Sequence, residues 1–574
     1  MDSFLRELSR SEIALPGQPM SKIRIAHLAG PTATIQNTPP LVTSNKARQR
    51  HGLTLIKDGN GGVAPFDALR PQRLAAPVTV YVEQFSAHPL EADAAELYGP
   101  PDGFIGSDGA FSRERRDLSD RAVYEIELKP EDGLYPLPYV ALQKDGTPWE
   151  EECTEPGGKL YRQGFFPDGS RSFEEIDRLS IGDHGRVNLI GDRAEVDFYR
   201  VAPPGGYTKG LTGADGTPPE RLGWDFFAYK PFHLAKAPPR PFLAKITNDV
   251  QAIMASGQYD GAIWTQGSPQ VEEIAYWFNL LIDTHRPIAC NAAQRPHGQI
   301  SNDGPANIVD SVTYIQSRVW ADDAGHNRVG TVVIQEQQFF AAREVAKVDA
   351  RPGGYVATGG HGGILGQVTH AGVPHLMYVP AYRHTAGSEV NITRLPEAVR
   401  ASRMTSQGVE TTEVRIKDPD GRLLPDAIPS VSIVKDGGFA AEAFGEDPEP
   451  EADLDYLIRH KMGSGRLAGF VIEGLVPYGS ATSELRAAML RRASFCGAPV
   501  VRVGRGAPEG FADREPLTIA GSNLTATKAR LLLMACLMKF GSLPVAVDPG
   551  APTPSEIEAH KASVARYQKV FDTH

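Results

Sequence analysis

The chain has 574 residues, 41% of them hydrophobic, enough for more than one core, since domains run on the order of 100–200 residues. Its formal net charge is −11 and no long run of Lys and Arg interrupts the sequence, which argues against nucleic-acid partners that need a basic footprint. No apolar stretch reaches the roughly 18 residues of a membrane-spanning helix, so no membrane partner is expected. Met1 to Pro19 mixes acidic and basic residues without the apolar run of a secretory signal. Cys153, Cys290, Cys496 and Cys536 are scattered with no paired spacing. The simplest expectation is therefore a cytoplasmic chain without a disulfide framework.

Lys22–Gly30 reads as a first strand ending in Gly, followed by a hydroxyl-rich turn from Pro31 to Thr38. Such a turn suits a nucleophile, although its composition is also that of an ordinary loop. Pro77 to Ser86 alternates in strand fashion. From 103 to 238 the chain is rich in Gly, Pro, Asp and aromatics, with short β-like runs such as Tyr124–Leu128 and Glu195–Tyr199. That is far beyond the roughly 15 residues at which a plain loop becomes unusual. The expectation is an inserted, mainly β accessory subdomain near the mouth of a site.

The central block runs from Gly261 to Pro305. Gly261–Thr265 is a short apolar strand, and Gln266-Gly267-Ser268 leads into Val271–Leu281, where apolar residues recur at i, i+3, i+4 and i+7 in the manner of an amphipathic helix. Pro269 fits the first turn of that helix, and Ser268 read by itself is a helix N-cap. Pro287–Cys290 reads as a buried strand, and a helix follows Asp303-Gly304-Pro305. Strand, helix, strand, helix is a parallel α/β unit, which places ligands at the carboxyl ends of its strands.

Further on, Thr331–Ile334 is another strand, and Ala342–Val348 carries Lys347. Paired glycines at 353–354, 359–360 and 362–363 suggest a mobile loop at a domain junction; the P-loop pattern of a phosphate site is absent. His361 and His370 have no metal-ligand spacing with an acidic partner, so no metal or other cofactor is expected. A second α/β unit begins near Ile428, with strands at Ser432–Val434, Leu467–Gly474 and Ala498–Val503. It closes on a helix for which Thr525 is the N-cap.

Several of these pieces resemble the bacterial-type L-asparaginases and glutaminases in order and spacing. They are Thr265-Gln266-Gly267-Ser268 with Glu272-Glu273, then Arg295-Pro296, Ser301, Asp303-Gly304-Pro305 and Asn307, and finally Asn523-Leu524-Thr525 with Lys528-Ala529-Arg530. Gly363-Ile364-Leu365-Gly366 and Arg383-His384-Thr385 also have family counterparts. The first piece is typically Thr-His-Gly-Thr-Asp-Thr in the family; here Gln266, Ser268, Pro269 and Gln270 depart from it. Thr34-Ile35 matches the nucleophilic Thr of the family's first loop, Ser86 its substrate-carboxylate Ser, and Lys347 its catalytic Lys. Gly479-Ser480 stands where the family has a Gly-Asn-Gly loop that reaches a neighbouring subunit.

The resemblance implies a two-domain α/β fold. Residues 20–102 with 239–400 would form the N-terminal domain, 103–238 the insertion and 425–574 a smaller C-terminal domain. It implies hydrolysis of the C–N bond of a small-molecule amide by a homodimer or homotetramer, with Thr34, Ser268 and Lys347 in catalysis. Gln266, Gly267, Pro269 and Ser86 would lie against the substrate. Pro269 replaces the Asp that in the family holds the substrate's amino group and cannot itself pair with an ammonium, and a buried ammonium without a partner is strongly disfavoured. The expected substrate is therefore an amide lacking a free α-amino group. The alternatives are a hydrolase of a cyclic amide and a small-molecule binder that has lost the chemistry; an amidotransferase subunit acting on charged tRNA lacks a basic patch.

Overall fold

The computed structural model describes residues 22–30, 42–44, 60–63, 69–71, 78–82, 101–106, 110–128, 150–153, 160–163, 190, 193–200 and 239–574, the last without 269, 296–302, 350, 352, 359–360, 436–451, 475–478, 480–483 and 506–513. The main sheet is built from β1 (Ile23–Ala29), β2 (Glu150–Cys153), β3 (Leu160–Gln163), β4 (Ala194–Arg200), β5 (Gly261–Thr265), β6 (Ile288–Asn291), β7 (Thr331–Gln335) and β8 (Gln338–Ala341). Two more strands form a small ribbon, β9 (Val345–Lys347) and β10 (Tyr355–Ala357). The main sheet then takes up β11 (Ile364–Val368) and β12 (Pro374–Leu376). Its order is β12-β11-β8-β7-β6-β5-β1-β4-β3-β2. The central strands β4, β1, β5, β6 and β7 are parallel, and the strands on both flanks are antiparallel.

Parallel strands need both faces covered, and this sheet has a helical layer on each. One face carries α1 (Leu243–Ala255) and α2 (Gln270–Leu281), the other α3 (Gly304–Ser317). The expected amphipathic helix is α2, yet nearly all of it is buried, including Trp277, Phe278 and Leu280 at 0% exposure. The reason is a second layer. The parallel sheet of β13 (Ser430–Lys435), β14 (Ala468–Gly474), β15 (Val500–Gly504) and β16 (Ile519–Ala520) carries the helices α4 (Ala452–Gly463), α5 (Glu484–Phe495), α6 (Ala526–Phe540) and α7 (Pro554–Phe571). Helix α6 packs on α2, so one hydrophobic core runs from the main sheet through α2 into the C-terminal layer. Thr525 caps α6 as expected, accepting from the Lys528 backbone N–H.

Two ladders cross the boundary expected at 102/103. Strand Val78–Val82 pairs with Arg121–Leu128 in a separate four-stranded sheet. Strand β4, from within 103–238, pairs in parallel with β1 and carries β3 and β2 at the edge of the main sheet. The described elements of 103–238 are all strands, and part of them extends the central sheet. The glycines at 353–354 are not a loose junction. They close the β9–β10 hairpin, where Val348 and Asp349 N–H both donate to the Gly354 carbonyl, at 2.9 and 3.3 Å. Cys290, Cys496 and Cys536 are buried free thiols. Among the described residues no helix is long and apolar enough to cross a membrane.

Candidate active site

The carboxyl end of β5 is stitched to its neighbours on both sides. Gly30 N–H donates to the Thr265 carbonyl at 2.9 Å, and Gln266 N–H donates to the Asn291 carbonyl at 3.1 Å. His27 Nε2 lies 3.1 Å from Thr265 Oγ1. Gly30 must be Gly, because a Cβ there would meet the Trp264 ring at 2.8 Å and the Gln266 side chain at 3.2 Å. Gln266 is 7% exposed, and its Oε1 accepts from Trp264 Nε1 at 2.9 Å, so this face of the amide serves the scaffold. The Gly267 carbonyl accepts from Val271 N–H at 3.3 Å and opens α2.

Ser268 follows at the tip. Its hydroxyl lies 2.7 Å from the Tyr355 hydroxyl. Tyr355 sits on β10 directly opposite Lys347 on β9. Opposed residues of an antiparallel pair project to the same face with Cβ atoms roughly 4.5–5.5 Å apart, so Ser268, Tyr355 and Lys347 converge at one place. Glu272, one turn into α2, holds the ribbon there: its carboxylate accepts from the Lys347 backbone N–H. Burial pushes the Glu272 carboxyl above its usual value, opposed by the Lys528 ammonium. Burial also pushes the Tyr355 phenol well up; the Ser268 hydrogen bond opposes this, and the nearby Glu272 and Asp303 carboxylates add to it.

Asp303 anchors the opposite wall. It stands at the N-cap position of α3 without capping it; instead its carboxylate accepts from Gln294 N–H at 3.0 Å, Arg295 N–H at 2.8 Å and the Gln335 amide. Asn307 extends the network, donating to the Ala292 carbonyl at 2.9 Å and to Gln335 Oε1 at 3.0 Å, and accepting from Glu336 N–H at 2.9 Å. These groups tie the ends of β6 and β7 to the start of α3. Each buried polar atom named has a partner, as burial demands.

The second tie runs to the C-terminal layer. Lys528 is fully buried on α6, and its Nζ donates to the Glu272 carbonyl at 2.5 Å and the Ala342 carbonyl at 2.7 Å. Burial brings its amine down to about 8, opposed by Glu272, Glu273 and Glu344. Arg530 pairs with Glu273 at 2.9 Å. The Glu272 carbonyl and the Glu273 carboxylate on α2 are thus held by Lys528 and Arg530 on α6.

A family profile described as Asparaginase, N-terminal matches residues 240–370, the stretch that carries Ser268, Lys347, Asp303 and Tyr355. The glutaminase-asparaginase of Acinetobacter glutaminasificans is 26% identical over 305 residues, 52% of this chain and 76% of that protein. Over this stretch the chain is similar to the asparaginases. L-asparaginase 2 of Escherichia coli (strain K12) is 31% identical over 140 residues, but the match spans 24% of this chain and only 37% of the relative. A solved structure, the probable cytoplasmic L-asparaginase of Campylobacter jejuni, is similar over 67% of this chain and 93% of that chain, with 18% identity and a TM-score of 0.43.

Of the residues expected in an asparaginase-type site, Ser268 meets, through Tyr355, the ribbon that bears Lys347, and Gly267 and Gln266 lie on the same strand exit. Thr34, Ser86, Pro269 and Ser480 lie outside the described residues. Tyr355 was not among the expected site residues. Its signal was the Gly353-Gly354-Tyr355 step eight residues after Lys347, a hairpin turn that folds Tyr355 back onto the lysine. Among the described residues no cluster of His, Cys, Asp or Glu could hold a metal.

Proposed function

We propose that this chain is an amidohydrolase of the asparaginase/glutaminase type, acting on a small amide that lacks a free α-amino group. The observation that carries this reading is the convergence of the Ser268 hydroxyl with the strand pair bearing Lys347 and Tyr355, at the carboxyl end of a parallel sheet. The relatives' names, glutaminase-asparaginase and L-asparaginase, point the same way.

In this reading a hydroxyl, Thr34 or Ser268, attacks the amide carbon. Its proton passes to the Lys347 amine as the new C–O bond forms. The tetrahedral oxyanion, met by backbone N–H groups beyond Gly267, collapses with loss of the C–N bond, and the departing nitrogen takes the proton. Water then cleaves the ester and releases the acid. Pro269 in place of a carboxylate leaves nothing at that position to pair with an α-ammonium, which favours a substrate without one. The same proline favours a second reading, a ligand-binding homologue without turnover; it predicts thermal stabilisation by an amide that stays intact.

The test is ammonia release from L-asparagine, L-glutamine and matched amides lacking the amino group. The non-amino amides should be preferred, and clear preference for L-asparagine contradicts the substrate assignment. Ser268→Ala and Thr34→Ala separate the two hydroxyls, since the nucleophile's variant loses turnover. We further propose a cytoplasmic homodimer or homotetramer, for which sedimentation at several concentrations is decisive.

A further inference from the structure

We propose that Tyr355 is the positioning residue of Ser268, its phenol donating to Ser268 Oγ so that the serine's own hydrogen is presented to Lys347. This rests on the amidohydrolase reading and adds a residue to it. Ser268 and Tyr355 are 87 positions apart and meet at 2.7 Å. Tyr355 is only 4% exposed, and its ring belongs to the large core, so the hydroxyl is held on a rigid stem. The turn behind it permits no slack: a Cβ at Gly354 would lie 2.3 Å from the Asp349 carbonyl oxygen and 2.8 Å from that of Arg351. The backbone thus fixes Tyr355 opposite Lys347, and Glu272 pins the lysine's strand to the same helix that follows Ser268.

The direction of the hydrogen bond follows from chemistry. A phenol is a stronger acid than an alcohol and so the better donor of the two. The charged groups acting on it are the carboxylates of Glu272 on α2 and Asp303 at the start of α3, and Lys347 stands opposite it in the ribbon. Both carboxylates work against a phenolate, which keeps the proton on Tyr355. With the phenol donating, Ser268 Oγ keeps a lone pair for the carbonyl carbon and its O–H hydrogen for a base. No proton is gained or lost by Tyr355 over the cycle.

The experiment measures ammonia release by the full chain and its Ser268→Ala, Tyr355→Phe and double variants on the best amide of the panel. Tyr355→Phe keeps the ring and its packing. We expect kcat to fall roughly 10–100-fold, the size of one lost hydrogen bond in a transition state, with KM nearly unchanged and the double variant no slower than Ser268→Ala alone. Replacing Tyr355 by a ring-fluorinated tyrosine, a more acidic phenol of almost the same shape, should move the alkaline limb of the kcat profile to lower pH. A merely structural tyrosine would leave that limb in place. Unchanged kcat in Tyr355→Phe with Ser268→Ala inactive overturns the inference and leaves the amidohydrolase standing. Full activity of Ser268→Ala overturns it too, because Tyr355 would have nothing to position. Intact amides with every protein, wild type included, overturn both.

Discussion

Asp310 on α3 shows what a single buried charge does in this molecule. Its side chain is enclosed, Oδ2 has no hydrogen-bond partner, and burial raises the carboxyl from 3.8 to about 6 against the help of the Gln337 backbone N–H. A folded-state value above the unfolded one means that the group favours folding when protonated. That advantage is present below about pH 4 and is lost as pH rises through about 6. Asp310→Asn should therefore melt higher than wild type above pH 6, with the gap closing towards pH 4; a gap independent of pH would contradict the assignment. At this scale the site was partly legible. Ser268 and Lys347 stood out because a hydroxyl at a strand exit and a lysine at a set distance beyond Asp-Gly-Pro carry a family's spacing. Tyr355 did not stand out, since only the hairpin register brings it to Ser268. Gln266, expected against the substrate, sends its Oε1 into the scaffold, because Trp264 needs an acceptor for its buried N–H.

The elements that shape the site are two turns. The β7–β8 hairpin turns at Glu336-Gln337, both left-handed at φ 46° and 67°, a conformation that costs a non-glycine residue roughly 1–2 kcal/mol. Asn307 and Asp303 hold the adjoining residues in place. Gln337→Gly should stabilise the protein by up to about 1 kcal/mol in denaturant melts; destabilisation would show that the side chain supplies more than the strain removes. The β9–β10 hairpin has the opposite constraint. Gly354→Ala must displace Lys347 and Tyr355 together, so turnover should fall at least as far as in Tyr355→Phe, with a lower melting temperature. Near-normal turnover would mean that the ribbon does not set the site. Strands and helices of the central block were legible from periodicity and the glycine and proline punctuation around them. The burial of α2 on all sides was not, because the surface that covers it comes from α6, about 250 residues later, and a local pattern carries no information about a distant partner. For the same reason β4 reads locally as a piece of the inserted segment, while its ladder to β1 makes it part of the main sheet.

Across the whole molecule, the site depends on the contact between α2 and α6. Lys528 joins them, and its amine is lowered to about 8 by burial. A lysine depressed in the folded state penalises folding while protonated, and the penalty lifts as pH rises from about 8 towards the ordinary value near 10.4. The stability of wild type relative to Lys528→Met should therefore rise with pH across that window; a flat difference would show that the amine is not desolvated in the folded chain. The Asn523-Leu524-Thr525 and Lys528-Ala529-Arg530 pieces were legible as a family signature, but their task of gripping Glu272 and Glu273 appears only in three dimensions. The most direct measurement of the central claim is ammonia release from a non-amino amide by wild type and by Lys347→Met. The account predicts turnover by wild type and a loss of about 10²–10⁴-fold in kcat for the variant, the usual size of a positioned proton-transfer group. Equal rates from the two proteins would contradict it.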